Sequence, residues 1–262
     1  AVKLLNPLSS DLDTMRQNMV YSVLTAIAYN QKRKAADLKV FEYGKTYFIK
    51  EDGYEEKQRL ALGIIGKNKL EQWNNSSANV SLYTLKAAVD IIVKRFKIDN
   101  RQVVETTNPH LAYGLDYLKG QKVIVSLGAV ASEVLHRVDV DGPVYFADFD
   151  WDLVLKTIRK HVIQYKEVSK YPAVRRDLAL LVDDAVTFEQ LKNIALKADR
   201  KLLKGVSIFD VYKGDKLPAG KKSYALSFVI QDEEKTLNDK QIDSIIQKLI
   251  INFEKETGAV VR

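Results

Sequence analysis

The sequence predicts an α+β protein in two parts, and three observations carry that reading. Each half holds one strong helical stripe among strand-like segments: Leu82, Leu85, Val89, Ile92, Val93 and Phe96 in the first, Ile242, Ile245, Ile246, Leu249, Ile250 and Phe253 in the second. The last third, from Lys170 to Arg262, runs strand, helix, two strands, helix, strand. A polar stretch from Gln164 to Ser169, followed by Tyr171-Pro172, marks the boundary, so the parts are expected at 1–165 and 170–262. At 262 residues and 46% hydrophobic the chain can bury two cores, and charges of both signs interspersed along it argue against disorder.

The formal charge of +7 leans toward a polyanionic partner. The absence of cysteine excludes disulfides, thiolate nucleophiles and zinc–thiolate sites. No apolar run reaches membrane-spanning length and no secretory pattern opens the chain, so a cytoplasmic location without membrane contact is expected. Ala1 enters mid-pattern at Lys3-Leu4-Leu5-Asn6-Pro7, as expected of a piece cut from a longer protein.

In the first part, Met15, Met19, Val23 and Ile27 repeat at helical spacing, with Ser10 or Asp11 available as a cap. Lys39 to Ile49 reads as a strand and Arg59 to Gly66 as its antiparallel partner, followed by an Asn/Ser-rich loop from Lys67 to Asn79. Ser81 can cap the Leu82 helix. Short strands follow at Val103–Glu105, Lys122–Leu127 and Val144–Asp148, and a helix from Trp151 to about Val162 closes the part.

In the second part, Arg176 to Val182 is strand one. Thr187 and Gln190 have capping-box spacing ahead of a helix that buries Phe188, Leu191, Ile194, Ala195 and Ala198. Asn238 caps the second helix and Gly258 closes it. Strand parity sorts the faces. Leu178, Leu180, Val182, Phe209, Val211, Tyr224, Leu226, Phe228 and Ile230 are expected to face the helices. Asp177, Ala179, Ile208, Asp210, Tyr212, Ser223, Ala225, Ser227, Val229 and Gln231 are expected to face away.

An uncovered sheet face with an aromatic ring among small polar residues suits single-stranded RNA. Bases stack on rings for about 1–3 kcal/mol each, and their edges bond to nearby polar groups. Tyr212 is the expected stacking ring, with Asp210 and Ser223 beside it. Lys213, Lys216, Lys221 and Lys222 on the loop joining strands two and three are expected to meet phosphate, and Arg200, Lys201 and Lys204 form another basic cluster. The same residues allow plain structural roles: a solvated lysine loop, Tyr212 as an edge-packing ring, and a cross-strand ion pair between Asp210 and Arg176. No catalytic spacing, phosphate-binding glycine loop or His-Glu motif is visible. His110, His136 and His161 lack ligand spacing, so no metal site is expected.

Several segments together carry a resemblance: Tyr171-Pro172-Ala173-Val174-Arg175-Arg176-Asp177-Leu178, Phe209-Asp210-Val211-Tyr212, Gly220-Lys221-Lys222-Ser223-Tyr224-Ala225, Thr236-Leu237-Asn238-Asp239 and the closing Arg262. The second part resembles the C-terminal anticodon-binding domain of bacterial phenylalanyl–tRNA synthetase beta subunits, a ferredoxin-like βαββαβ sandwich. Asn6-Pro7-Leu8-Ser9-Ser10, Met15-Arg16, Tyr29-Asn30 and Val40-Phe41-Glu42-Tyr43-Gly44-Lys45 resemble the same subunit's class II synthetase-like module, an antiparallel sheet with helices.

The resemblance implies the C-terminal third of that subunit, without the upstream editing modules. RNA contacts are expected at Arg176, Asp210, Tyr212, Lys213, Lys216, Lys221, Lys222, Ser223 and Arg262; the resemblance implies tRNA(Phe) and a catalytic alpha subunit as partners in an assembly of two alpha and two beta chains. DNA is not an expected partner. ATP and magnesium serve the whole enzyme and are not expected in this portion. The first module is a relic without chemistry in that family, and this sequence agrees: aligning a Phe-Arg-x-Glu motif on Glu42 puts Val40 where the arginine belongs. Ala131-Ser132 stand where the family usually carries His-Pro. Two other readings of the second part stay open: a regulatory module binding free amino acids, against which the glycine-free turn Asp183-Asp184-Ala185 argues, and a purely structural scaffold.

Overall fold

The computed structural model describes residues 1–9, 13–69, 72–74, 77–98, 101–159, 162, 165 and 167–262. The chain divides into two compact units, Ala1–Ile163 and Gln164–Arg262.

The first unit runs α1 (Val20–Gln31), β1 (Leu38–Lys50), β2 (Gly53–Ile65), α2 (Leu82–Arg95), β3 (Gln102–Glu105), β4 (Leu111–Lys119), β5 (Lys122–Val130), α3 (Ser132–His136), β6 (Tyr145–Asp150) and α4 (Trp151–Ile158). Its strands form one antiparallel sheet in the order β1-β2-β6-β5-β4-β3. Register places Ala61, Gly63 and Phe146 on one face, where α1 packs through Met19, Val23, Leu24 and Ile27. Leu60, Leu62, Ala147 and Phe149 lie on the other, against Leu85, Val89 and Val93 of α2 and Val154 of α4. Central strands buried on both faces read as continuous apolar runs, such as Leu60 to Ile65, rather than as alternation.

Several expectations for this unit change. The helix opens at Val20, so Met15 lies outside it; Met15 N–H donates to the Val2 carbonyl at 2.8 Å, and Tyr47 N–H donates to the Arg16 carbonyl at 2.9 Å. The expected caps Ser10 and Asp11 lie outside the described residues. β2 begins at Gly53, well ahead of Arg59. β4 is an additional strand, hidden in the sequence because Asp116 interrupts its apolar pattern; that carboxylate is buried and accepts from Thr106 Oγ1 at 2.7 Å. α4 ends at Ile158, short of the expected Val162, while His161 and Gln164 lie outside the described residues.

The second unit runs β7 (Val174–Asp183), α5 (Phe188–Ala198), β8 (Leu203–Tyr212), β9 (Lys221–Ile230), α6 (Asp239–Thr257) and β10 (Val260–Val261). The antiparallel order β10-β7-β9-β8 is the ferredoxin-like βαββαβ arrangement. The expected capping box of Thr187 with Gln190 forms, the expected cap Asn238 forms a further box with Gln241, and Gly258 closes α6 in the left-handed conformation. Leu180, Val182, Leu226, Phe228 and Ile230 meet Leu191, Ile194, Ile242, Ile245, Leu249 and Phe253 in one core, which leaves the opposite sheet face without helices. Among the described residues, no helix is long and apolar enough to cross a membrane.

β8 departs from simple alternation. Its register slips between Ile208, opposite Leu226, and Asp210, opposite Ala225, so Phe209 is the extra residue of a β-bulge. The slip reverses two expectations. Ile208 joins the helix-side core, and Phe209 turns out, 56% exposed. Past the bulge the expected parity returns, with Tyr212 opposite Ser223 and Val211 opposite Tyr224, although Val211 is half exposed.

Candidate nucleic-acid interface

The open face of the second unit is read in rows from the register of its four strands. Val260, Leu181, Ser223 and Tyr212 form one row. Ala179, Ala225 and Asp210 form the next, where Arg262 N–H donates to the Ala179 carbonyl at 2.9 Å. Asp177, Ser227 and Ser207 follow, then Arg175, Val229 and Gly205. The middle rows of the floor are alanine and serine, with Leu181 and Val229 at its two ends, and the rings and cations stand toward the margins: Tyr212 and Phe209 on β8, Arg262 beyond β7, and Arg175 at one end.

Tyr212 is 38% exposed, and its hydroxyl comes so close to Gly214 that a Cβ there would sit 2.7 Å away. Asp210 is exposed, with no hydrogen bond or ion pair among the described residues. Ser223 is on the same face but only 7% exposed, since Tyr212 and Leu181 flank it. Arg175 grips Asp177 through two bonds, Nε and Nη2 to the carboxylate oxygens at 2.9 and 3.1 Å. That pairing holds the Asp177 carboxyl below its ordinary range, with help from Ser227, and raises Arg175. The Arg175 guanidinium lies 5.5 Å from the centre of the Phe209 ring, within cation–π range.

The basic residues are distributed differently from expectation. Only Lys213 and Lys216 are on the loop; Lys221 and Lys222 begin β9. Lys222 faces the helix side, is buried, and donates to the Asp184 carbonyl at 2.7 Å, so it is removed from the open face. Lys221 pairs with Asp183 at 2.8 Å and Lys213 with Asp184 at 2.9 Å, which leaves Lys216 without an ion pair among the described residues. Arg176 also points to the helix side, opposite Phe228, and pairs with Asp239 at 3.5 Å; the cross-strand pair with Asp210 does not form. In the other basic cluster, Lys201 pairs with Glu234 at 3.8 Å and Lys204 with Glu233 at 2.9 Å. The structure thus brings Asp210, Tyr212, Ser223 and Arg262 together on one surface, and takes Arg176 and Lys222 off it.

The first unit carries a polar cluster on the α1 face of its sheet. Glu42 is held by Arg16 and accepts from Ser22 Oγ at 2.8 Å, and Arg16 Nε donates to the Lys45 carbonyl at 2.7 Å. The Arg16 guanidinium lies against Gly44, where any side chain would collide with it. Across the sheet, Arg59 stands 3.8 Å from Asp148. Asp148 Oδ1 and Arg59 Nε are buried with no hydrogen-bond partner. Burial pushes the Asp148 carboxyl up to about 6 despite Arg59, and Asp150 adds to the rise. Ala131 precedes the five-residue α3 as its cap residue, and Ser132 opens it.

Two family models match: residues 1–151 match the phenylalanyl tRNA synthetase beta chain CLM domain, and residues 169–262 match the ferredoxin-fold anticodon binding domain. The chain belongs to the phenylalanyl–tRNA synthetase beta chain family. It is 45% identical over 273 residues to the phenylalanine–tRNA ligase beta subunit of Bacteroides thetaiotaomicron, covering 100% of this chain and 33% of that protein. The same-named subunits of Porphyromonas gingivalis and Clostridium acetobutylicum are 36% and 31% identical, each over 100% of this chain and 34% and 32% of those proteins. The chain therefore spans about a third of the length of these relatives. Within this family member, Phe209 and Arg175 are the face residues that alternation missed. A bulge shifts the alternation partway along β8, which a single parity for the whole strand does not follow, while the exposed pairing of Arg175 with Asp177 follows from their i, i+2 spacing on one strand face.

Proposed function

We propose that this chain is the non-catalytic C-terminal portion of a phenylalanine–tRNA ligase beta subunit. Its second unit holds the anticodon stem-loop of tRNA(Phe), and its first unit docks the catalytic alpha subunit in a cytoplasmic assembly of two alpha and two beta chains. The complete enzyme joins L-phenylalanine to tRNA using ATP and magnesium.

One observation carries the RNA reading: an uncovered sheet face with a small-residue floor and marginal rings, on the unit that matches an anticodon-binding family model. Bases can lie on such a floor with Tyr212 stacking, while the exposed Asp210 accepts from base amino groups. Lys216 and Arg262, neither in an ion pair among the described residues, meet phosphate at opposite margins. The non-catalytic reading is supported by Val40, which stands where a Phe-Arg-x-Glu motif aligned on Glu42 would carry its phosphate-binding arginine.

Ultraviolet crosslinking of the chain to an anticodon stem-loop tests the face, with crosslinked peptides mapped by mass spectrometry. Crosslinks on β8, β9 or the C-terminus are expected; crosslinks confined to the first unit would contradict the reading. The pure chain should show no phenylalanine-dependent ATP–pyrophosphate exchange, and robust exchange would overturn its non-catalytic role.

A further inference from the structure

We propose that Phe209 and Arg175 form a second nucleotide platform on the open face, separate from Tyr212. The inference rests on the RNA reading of that face and specifies how many bases it takes and where.

A bulge spends one residue to re-aim a side chain, and here the re-aimed side chain is a phenylalanine. Parity counted back from Tyr212 and Asp210 would have put this ring on the helix side, a place that Ile208 takes instead. Phe209 stands 56% exposed on the side of the sheet that carries Ser207, which is exposed, and Ser227, which is only 4% exposed beneath its neighbours. The Arg175 guanidinium lies 5.5 Å from the ring centre. That guanidinium is locked by two bonds to Asp177. A guanidinium plane is itself a stacking surface for a base, so ring and cation together offer two faces on which a base can lie.

Phe209 and Tyr212 are three residues apart on one strand, about 10 Å by strand rise. Asp210 lies between them on the same face. A single base cannot lie on both rings, so the arrangement fits two unpaired bases splayed along β8, with the carboxylate between them. The acid also repels phosphate, which keeps the RNA backbone toward the margins where Lys216 and Arg262 stand.

The test uses the full chain and a set of anticodon stem-loops carrying 2-aminopurine at each loop position in turn. Stacking quenches this fluorophore, so each platform reports its own nucleotide. Phe209→Ala is expected to weaken binding by about fivefold or more and to relieve quenching at one loop position. Tyr212→Ala should relieve it at a different position. Phe209→Tyr, which keeps a ring, should retain wild-type quenching, and Arg175→Gln should lose part of it. Phe209 is outside the core, so unchanged thermal melting of each variant is the folding control. Phe209→Ala binding within twofold of wild type while Tyr212→Ala weakens it would overturn the second platform. So would relief of the same loop position by both alanine variants. Failure of the unmodified chain to bind any stem-loop would instead overturn the RNA reading beneath it.

Discussion

Replacing Asp148 by asparagine should stabilise the first unit, by an amount that depends on pH. The carboxyl is buried beside Arg59, with Oδ1 lacking any partner, and its pKa rises from 3.8 to about 6. A tenfold change in proton affinity is worth about 1.4 kcal/mol, so a rise of this size makes the charged form cost about 3 kcal/mol in the folded state. Asparagine resembles the neutral acid in shape and avoids that cost. Below about pH 4 the acid is protonated in folded and unfolded chains alike, and the two proteins should differ little on this account. Between about pH 4 and 6 the unfolded chain releases its proton while the folded one retains it, so wild-type stability falls as pH rises. Above about pH 7 the gap should be full, near 3 kcal/mol. Urea unfolding followed by tryptophan fluorescence measures this cleanly, because the two tryptophans of the chain, Trp73 and Trp151, are both in the first unit. A gap that stays constant from about pH 4.5 to 8, or a variant less stable than wild type at about pH 8, would refute the assignment of Asp148 as an under-compensated buried acid.

Other consequences concern the second unit and can be followed by circular dichroism. Leu249→Ala removes a fully buried α6 side chain from the core and should cost about 2–5 kcal/mol in urea unfolding. Asn238→Ala removes the α6 cap, whose side chain accepts from Gln241 N–H at 2.9 Å, and should cost about 1 kcal/mol. Lys222→Met should leave stem-loop affinity within about twofold, since Lys222 lies under the helix side of the sheet and cannot reach a ligand on the open face; a large loss of affinity would show that the face has been misassigned.

Most of the second unit is legible in the sequence because its signals are local and agree with one another. A capping box, an asparagine cap, a glycine stop and an unbroken Ile/Leu/Phe stripe fix the helices, and one polar face makes alternation readable in β7 and β9. β8 defeats that reading at the point where periodicity fails: one extra residue at Phe209 exchanges the inward and outward sets locally. The lysines are misplaced for a related reason. Gly220 ends the loop earlier than the Lys-rich composition suggests, so Lys221 and Lys222 already belong to β9 and take opposite faces. Arg176 is expected to meet RNA, whereas its own parity puts it with Phe228 and near Asp239. In the first unit, the helical spacing of Met15 with Met19 is fortuitous, because backbone bonds to Val2 and Tyr47 hold that stretch outside the helix. β4 escapes notice since its buried Asp116 is paired only through the fold, by a threonine ten residues away.

The central claim is that the uncovered face of the second unit binds an anticodon loop. Fluorescence anisotropy of a labelled tRNA(Phe) stem-loop, titrated with the wild-type chain and with Tyr212→Ala at several salt concentrations, tests it most directly. Wild-type affinity should fall as salt rises, with a log–log slope of about −0.7 for each phosphate contacted, and Tyr212→Ala should weaken binding by about 1–3 kcal/mol at every salt while leaving that slope unchanged. Affinity indifferent both to salt and to the loss of the Tyr212 ring would contradict the claim.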